Sequence, residues 1–248
     1  MSQRIHAFLN KSLKNRTGEL GSVKDFLFDD HHWGVRYLVV RAGSWLTGRE
    51  VLISPDALEV SVAGEDDSLP VNLTEEQVRD APGIDASRPV SRQQENDLRL
   101  HYGWPLYWTD PYYMTLGTGV GNPVPPAAMM VEEPVAREDE PDLHLRSVKE
   151  VTGYTILARD GELGHVEDFV VDGERWLLTH LVVDTRNWLP GRKVVLPVRA
   201  ILAVNWAESQ VEINLTREDI EKAPEYDEEG GELALHTRAL GDYYKGLH

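Results

Sequence analysis

The sequence predicts a mainly β protein made of two small, mostly antiparallel barrels of five or six strands in tandem, each followed by a short C-terminal helix. Two observations carry this expectation. The first is an internal duplication: Gly18-Glu19-Leu20-Gly21-Ser22-Val23-Lys24-Asp25-Phe26 recurs 143 residues later as Gly161-Glu162-Leu163-Gly164-His165-Val166-Glu167-Asp168-Phe169. The second is the close spacing of short apolar runs between Gly, Pro, Asn and Asp, a pattern typical of small barrels and sandwiches. A repeat of roughly 80 residues is too short to bury a generous core alone, so each copy is expected to draw on further packing.

The first copy takes these elements in order. Ile5, Ala7 and Leu9 alternate with their neighbours and suggest an opening strand before the turn at Asn15-Arg16-Thr17-Gly18. Val23, Phe26 and Phe28 form the next strand, followed by a turn at Asp29-Asp30-His31-His32; Val166, Phe169 and Val171 precede Asp172-Gly173-Glu174 in the second copy. Tyr37 to Arg41 and His180 to Asp184 are continuous β-branched and leucine runs, as in a wall buried on both faces. After Trp45-Leu46-Thr47-Gly48-Arg49 and Trp188-Leu189-Pro190-Gly191-Arg192, third strands run through Val51-Leu52-Ile53 and Val194-Val195-Leu196, limited by Pro55 and Pro197.

One deleted residue then shifts the spacing to 142, which aligns Asn72-Leu73-Thr74 with Asn214-Leu215-Thr216 and Ala81-Pro82 with Ala223-Pro224. Hairpins are expected at 58–73 and 201–215. Thr74 before Gln77 and Thr216 before Asp219 have capping-box spacing, so a short helix ends each copy ahead of its proline.

The Gly-Glu-Leu-Gly-x-Val-x-Asp block, the strand after it and the Trp-Leu-x-Gly-Arg-x-Val block resemble a PRC-barrel domain, and the second copy resembles another. The family takes its name from the cytoplasmic domain of the photosynthetic reaction-centre H subunit and includes the C-terminal domain of the ribosome-maturation factor RimM. The resemblance covers about residues 4 to 82 and 144 to 224 and implies a six-stranded barrel used for protein interaction or regulation, without a common catalytic triad. The domains read as 1–87 for the first barrel, 88–142 for an insert and linker, 143–226 for the second barrel and 227–248 for an acidic tail.

In the insert, Ser91 followed by Gln94 predicts a capped helix from about Arg92 to Tyr102. Tyr102, Trp104, Tyr107, Trp108, Tyr112 and Tyr113 then crowd together in a segment for which the second copy offers no evident match. Such rings either complete a thin core or form an exposed partner site. Five prolines between Gly117 and Pro141, interleaved with acids, predict a solvated, semi-rigid linker.

A formal net charge of −17 disfavours any sequence-independent grip on phosphates, so nucleic acid is not expected as a direct partner. The absence of cysteine removes disulfides, thiolate nucleophiles and Cys-ligated metals, in keeping with a cytoplasmic setting. No stretch reaches the roughly 20 apolar residues of a membrane span, and residues 1–10 lack a signal-peptide core.

The residues nominate no catalytic group, cofactor or metal site. Asp29, His31 and His32 offer ligand-type atoms, but the second copy carries Asp172-Gly173-Glu174-Arg175 there. Asp25 and Asp168 recur at a strand end, where carboxylates commonly accept backbone or arginine hydrogen bonds. The candidate partner-binding residues are Trp45, Arg49, Trp188 and Arg192 from the repeated loops, with Trp104 and Trp108 from the insert. The expected function is a non-catalytic adaptor that engages a protein partner or itself, possible homo-oligomerisation included. Alternatives are a metal-binding protein or enzyme with an inter-barrel site, and an assembly factor for ribosomes or photosynthetic complexes.

Overall fold

The computed structural model describes residues 2–46, 48–59, 68–83, 90–104, 145–185, 193–223, 240, 243 and 244. They form a mainly β protein with two mixed sheets, and the chain divides into two compact units. Among the described residues, one unit takes those from Asn10 to Arg146, and the other takes those before Asn10 and after Arg146.

Chain order gives β1 (Ser2–Arg4), β2 (Ser12–Asn15), β3 (Gly18–Asp29), β4 (Val35–Ala42), β5 (Glu50–Ile53), β6 (Ser68–Pro70) and β7 (Leu145–Ser147). The later strands are β8 (Thr155–Ala158), β9 (Gly161–Asp172), β10 (Leu177–Asp184), β11 (Lys193–Pro197), β12 (Ile201–Asn205) and β13 (Gln210–Ile213). The first sheet has the order β5-β4-β3-β2-β6, with β7 also on β3; the second has β11-β10-β9-β8-β13-β12, with β1 also on β9. Each contains a parallel pair, β2 with β6 and β8 with β13, so the antiparallel expectation does not hold throughout. Neither sheet closes into a barrel among the described residues.

The repeated glycines now have a physical reason. Gly21 and Gly164 lie inside β3 and β9, where an added Cβ would overlap the carbonyl oxygens of Arg41 and Asp184 on the neighbouring strands. Only a residue without a side chain admits that approach. Both long strands then bulge at the same place: the register slips between Val23 and Asp25 in β3 and between Val166 and Asp168 in β9. The displaced carboxylates accept the next backbone N–H, Phe26 to Asp25 and Phe169 to Asp168, each at 2.7 Å.

The expected opening strand over 5–10 is corrected. Ile5–Phe8 is a 3-10 turn whose Ile5 and Phe8, three apart, are both fully buried. Period-2 alternation in so short a run did not separate a strand from a tight turn. The predicted helices are present: α1 (Glu75–Arg79), α2 (Arg92–Tyr102) and, in the second copy, α4 (Arg217–Glu221), each opened by a complete capping box; α3 (Val148–Val151) is a further short turn of helix.

Near the end of the chain only Leu240, Tyr243 and Tyr244 are described; the acidic run from Glu225 to Glu232 lies outside the described residues. Leu240 and Tyr244 are buried to 0% and 1% exposure, and the Tyr243 hydroxyl donates to the Asp219 carbonyl oxygen at 2.7 Å. At the 142-residue spacing, Leu240, Tyr243 and Tyr244 match Leu98, His101 and Tyr102 of α2, and Asp219 matches Gln77. His101 Nε2 meets the Gln77 carbonyl oxygen at 2.7 Å, the same contact in the other unit. The duplication therefore reaches beyond the prolines, and each unit is finished by an aromatic segment pinned to its capped helix.

Candidate interaction site

The loop between β4 and β5 in the Asn10–Arg146 unit is shaped by its backbone. The Gly43 N–H donates to Leu20, Leu46 to Gly43 and Arg49 to Leu46, and Gly48 adopts a left-handed φ of 71°. Trp45 folds back over Gly43, where an added Cβ would come within 3.0 Å of the indole. The Arg79 guanidinium, from the last turn of α1, lies 5.8 Å from the centroid of the Trp45 ring, a cation–π separation. Arg79 also pairs with Glu75 at 3.1 Å.

Arg49 ties the loop to its neighbour. Its Nη2 donates to the carbonyl oxygen of Ala81, just beyond α1, which fastens the loop to that helix. Tyr102 stacks on Trp104 with centroids 4.1 Å apart and planes 16° from parallel, where Gly103 caps α2 in the left-handed region. Burial pushes the Tyr102 phenol up, and the nearby Arg49 charge opposes it only partly. The loop, α1 and the end of α2 thus converge, with Trp45 and Trp104 half-buried at the surface. Trp108, Trp188 and Arg192 lie outside the described residues.

A buried polar triad that sequence reasoning missed docks α2 against β4. The Tyr37 hydroxyl donates to Glu95 Oε2 at 2.8 Å and accepts from Arg99 Nε at 3.2 Å. Glu95 is 0% exposed and Arg99 3%. Burial, then the Glu95 charge, pushes the Tyr37 phenol far up, which keeps it a donor. The spacing of Glu95 and Arg99 on one helix face was readable; their insertion against the sheet was not, because charged residues on a helix are normally solvated.

The Asp29-Asp30-His31-His32 segment is committed to structure. Asp29 Oδ1 accepts the backbone N–H groups of His31 and His32, and Oδ2 meets Arg36 at 2.7 Å and His32 Nδ1 at 3.0 Å. Burial opposes ionisation of Asp29, but the hydrogen bonds from His32 and Arg36 outweigh it and hold the carboxyl well below the usual carboxylate range. Arg36 places a permanent positive charge on Asp29, and Arg146 does so on Asp30. Among the described residues no group of three or more His, Asp or Glu side chains is placed to hold a metal ion.

No helix among the described residues is long and apolar enough to cross a membrane. No protein-family model matches the chain, and no curated protein matches it at a significant level.

Proposed function

We propose that the chain is a non-catalytic interaction module of the tandem PRC-barrel type, and that its contact face in the Asn10–Arg146 unit is built from Trp45, Arg79 and Trp104. The observation that carries this reading is the convergence of the β4–β5 loop, α1 and the end of α2, which sets two half-buried tryptophans and an arginine on one unit. Trp, Tyr and Arg dominate interface hot spots because they combine large apolar area with directional polar contacts. The PRC-barrel part rests on the two in-register motif copies and on the matching glycine and bulge positions in β3 and β9. Arg49 is assigned to hold the loop, and Trp188 and Arg192 are the equivalent residues of the second copy.

The test pairs Trp45→Ala and Trp104→Ala with crosslinked affinity capture and with thermal melting. Loss of a captured partner, or of self-association in light scattering, at unchanged melting temperature supports a contact face. Retained capture together with a large fall in melting temperature assigns both rings to packing and sinks the reading. A role in ribosome maturation or photosynthetic-complex assembly follows only from the resemblance. It predicts ribosomal or photosynthetic proteins among those captured at low salt.

A further inference from the structure

The two copies exchange their opening strands. Ser2–Arg4 lies on β9 of the second copy, and Leu145–Ser147, placed 143 residues later, lies on β3 of the first. The groove that receives the first arm is specific. Ser2, Gln3 and Arg4 run antiparallel to Asp172, Val171 and Val170. Arg4 Nε donates to the fully buried Asp168 at 2.8 Å, Arg4 Nη2 to Glu167 at 2.9 Å, and the His6 backbone N–H to Asp168 at 3.3 Å. Ile5 and Phe8 are completely buried, Phe8 with its ring centroid 5.7 Å from that of Trp176.

This is strand addition with side-chain readout: main-chain pairing supplies affinity, while the carboxylates and the two apolar sites select a cation followed by an apolar and then an aromatic residue. The arm ends abruptly. Leu9 still belongs with the receiving unit, whereas Asn10, with a left-handed φ of 65°, opens the other and donates its N–H to the Val23 carbonyl oxygen at 2.8 Å. The break between arm and body thus falls at a single peptide link, and nothing in the groove requires that the arm come from the same chain.

We propose that the groove beside β9 is an interaction site for the N-terminal arm of a second copy of this chain, so that two chains associate by exchanging residues 2–9. The contacts are the same in the exchanged and unexchanged forms, so the balance follows protein concentration against the effective concentration of the chain's own arm. The net charge of −17 opposes association, and added salt relieves that repulsion. The site shares no residue with the Trp45 face, so either reading survives failure of the other.

The chain contains no cysteine, so Gln3→Cys with Val171→Cys, directly opposite in the pairing, gives a clean reporter. Full-length doubly substituted protein is prepared with natural isotopes and with nitrogen-15. Equal amounts are mixed, unfolded in urea, refolded at high concentration in moderate salt, oxidised gently and digested. The expected result is a disulfide-linked 3–171 peptide pair in which the fraction joining a light to a heavy chain rises with refolding concentration toward about half, the random-exchange limit, with a doubled mass in light scattering. Linked peptides that remain of one isotope at every concentration exclude the second copy as occupant. Absence of the 3–171 disulfide under all conditions removes the arm from the groove altogether.

Discussion

Arg4 Nε stands 2.8 Å from the carboxylate of Asp168, a residue 164 positions later that has no solvent exposure. The pair joins the first strand of the chain to the bulge of β9, so it ties a local irregularity to a long-range contact.

Arg4→Ala is expected to destabilise the unit containing β9 by about 2–4 kcal/mol, because it strips a buried carboxylate of its main cation. Asp168→Asn should cost less in the Arg4→Ala background than alone, with a coupling of roughly 1–3 kcal/mol. Urea denaturation of the two single variants and the double variant measures this. A coupling near zero would show that the contact contributes nothing beyond its separate halves.

Acid should weaken the Asn10–Arg146 unit through Asp29. Its folded carboxyl titrates well below the usual value because His32 and Arg36 together overcome the burial effect. The unfolded chain therefore takes up the proton first as pH falls. The stability from this group is complete above the unfolded pKa near 4 and is lost progressively below it. Asp29→Asn should flatten the dependence of stability on pH between about 4 and 2, read from denaturant midpoints, with little change in slope above pH 5.

Gly21→Ala and Gly164→Ala should each cost about 2–4 kcal/mol, since the new methyl group meets a backbone carbonyl that pairing holds in place. Gly18→Ala is the control: its φ of 155° disfavours a side chain but nothing lies within 4 Å, so roughly 1 kcal/mol is expected. Equal losses at positions 18 and 21 in thermal or urea melts would refute the close-approach explanation.

Tyr37→Phe removes a donor from buried Glu95 and an acceptor from Arg99, and should loosen α2 before it affects the sheet. Hydrogen exchange over residues 92–102 is expected to speed up at least tenfold while β3 and β4 remain protected. The parallel test at the other end of the chain is Tyr244→Ala, which should cost about 3–5 kcal/mol as a core truncation. A tail free in solvent would give no measurable change.

The sequence by itself determined the duplication, the mainly β class and the three capped helices. These rest on periodicity and on local chemistry within a few residues: a Thr or Ser accepting the N–H three positions on, or a glycine in a turn. It also singled out Trp45, Arg49 and Trp104, which do gather on one unit, with Arg49 bonded to the Ala81 carbonyl. Tertiary structure alone decided which sheet receives Ser2–Arg4, that Glu95 and Arg99 are buried against Tyr37, and that Tyr243 repeats the contact of His101. Each of those depends on partners tens to more than a hundred residues away, where no local pattern records the pairing. The His101 and Tyr243 equivalence was hidden for a further reason: what the two copies share there is a bond to a backbone carbonyl, and that bond is indifferent to whether an imidazole or a phenol makes it.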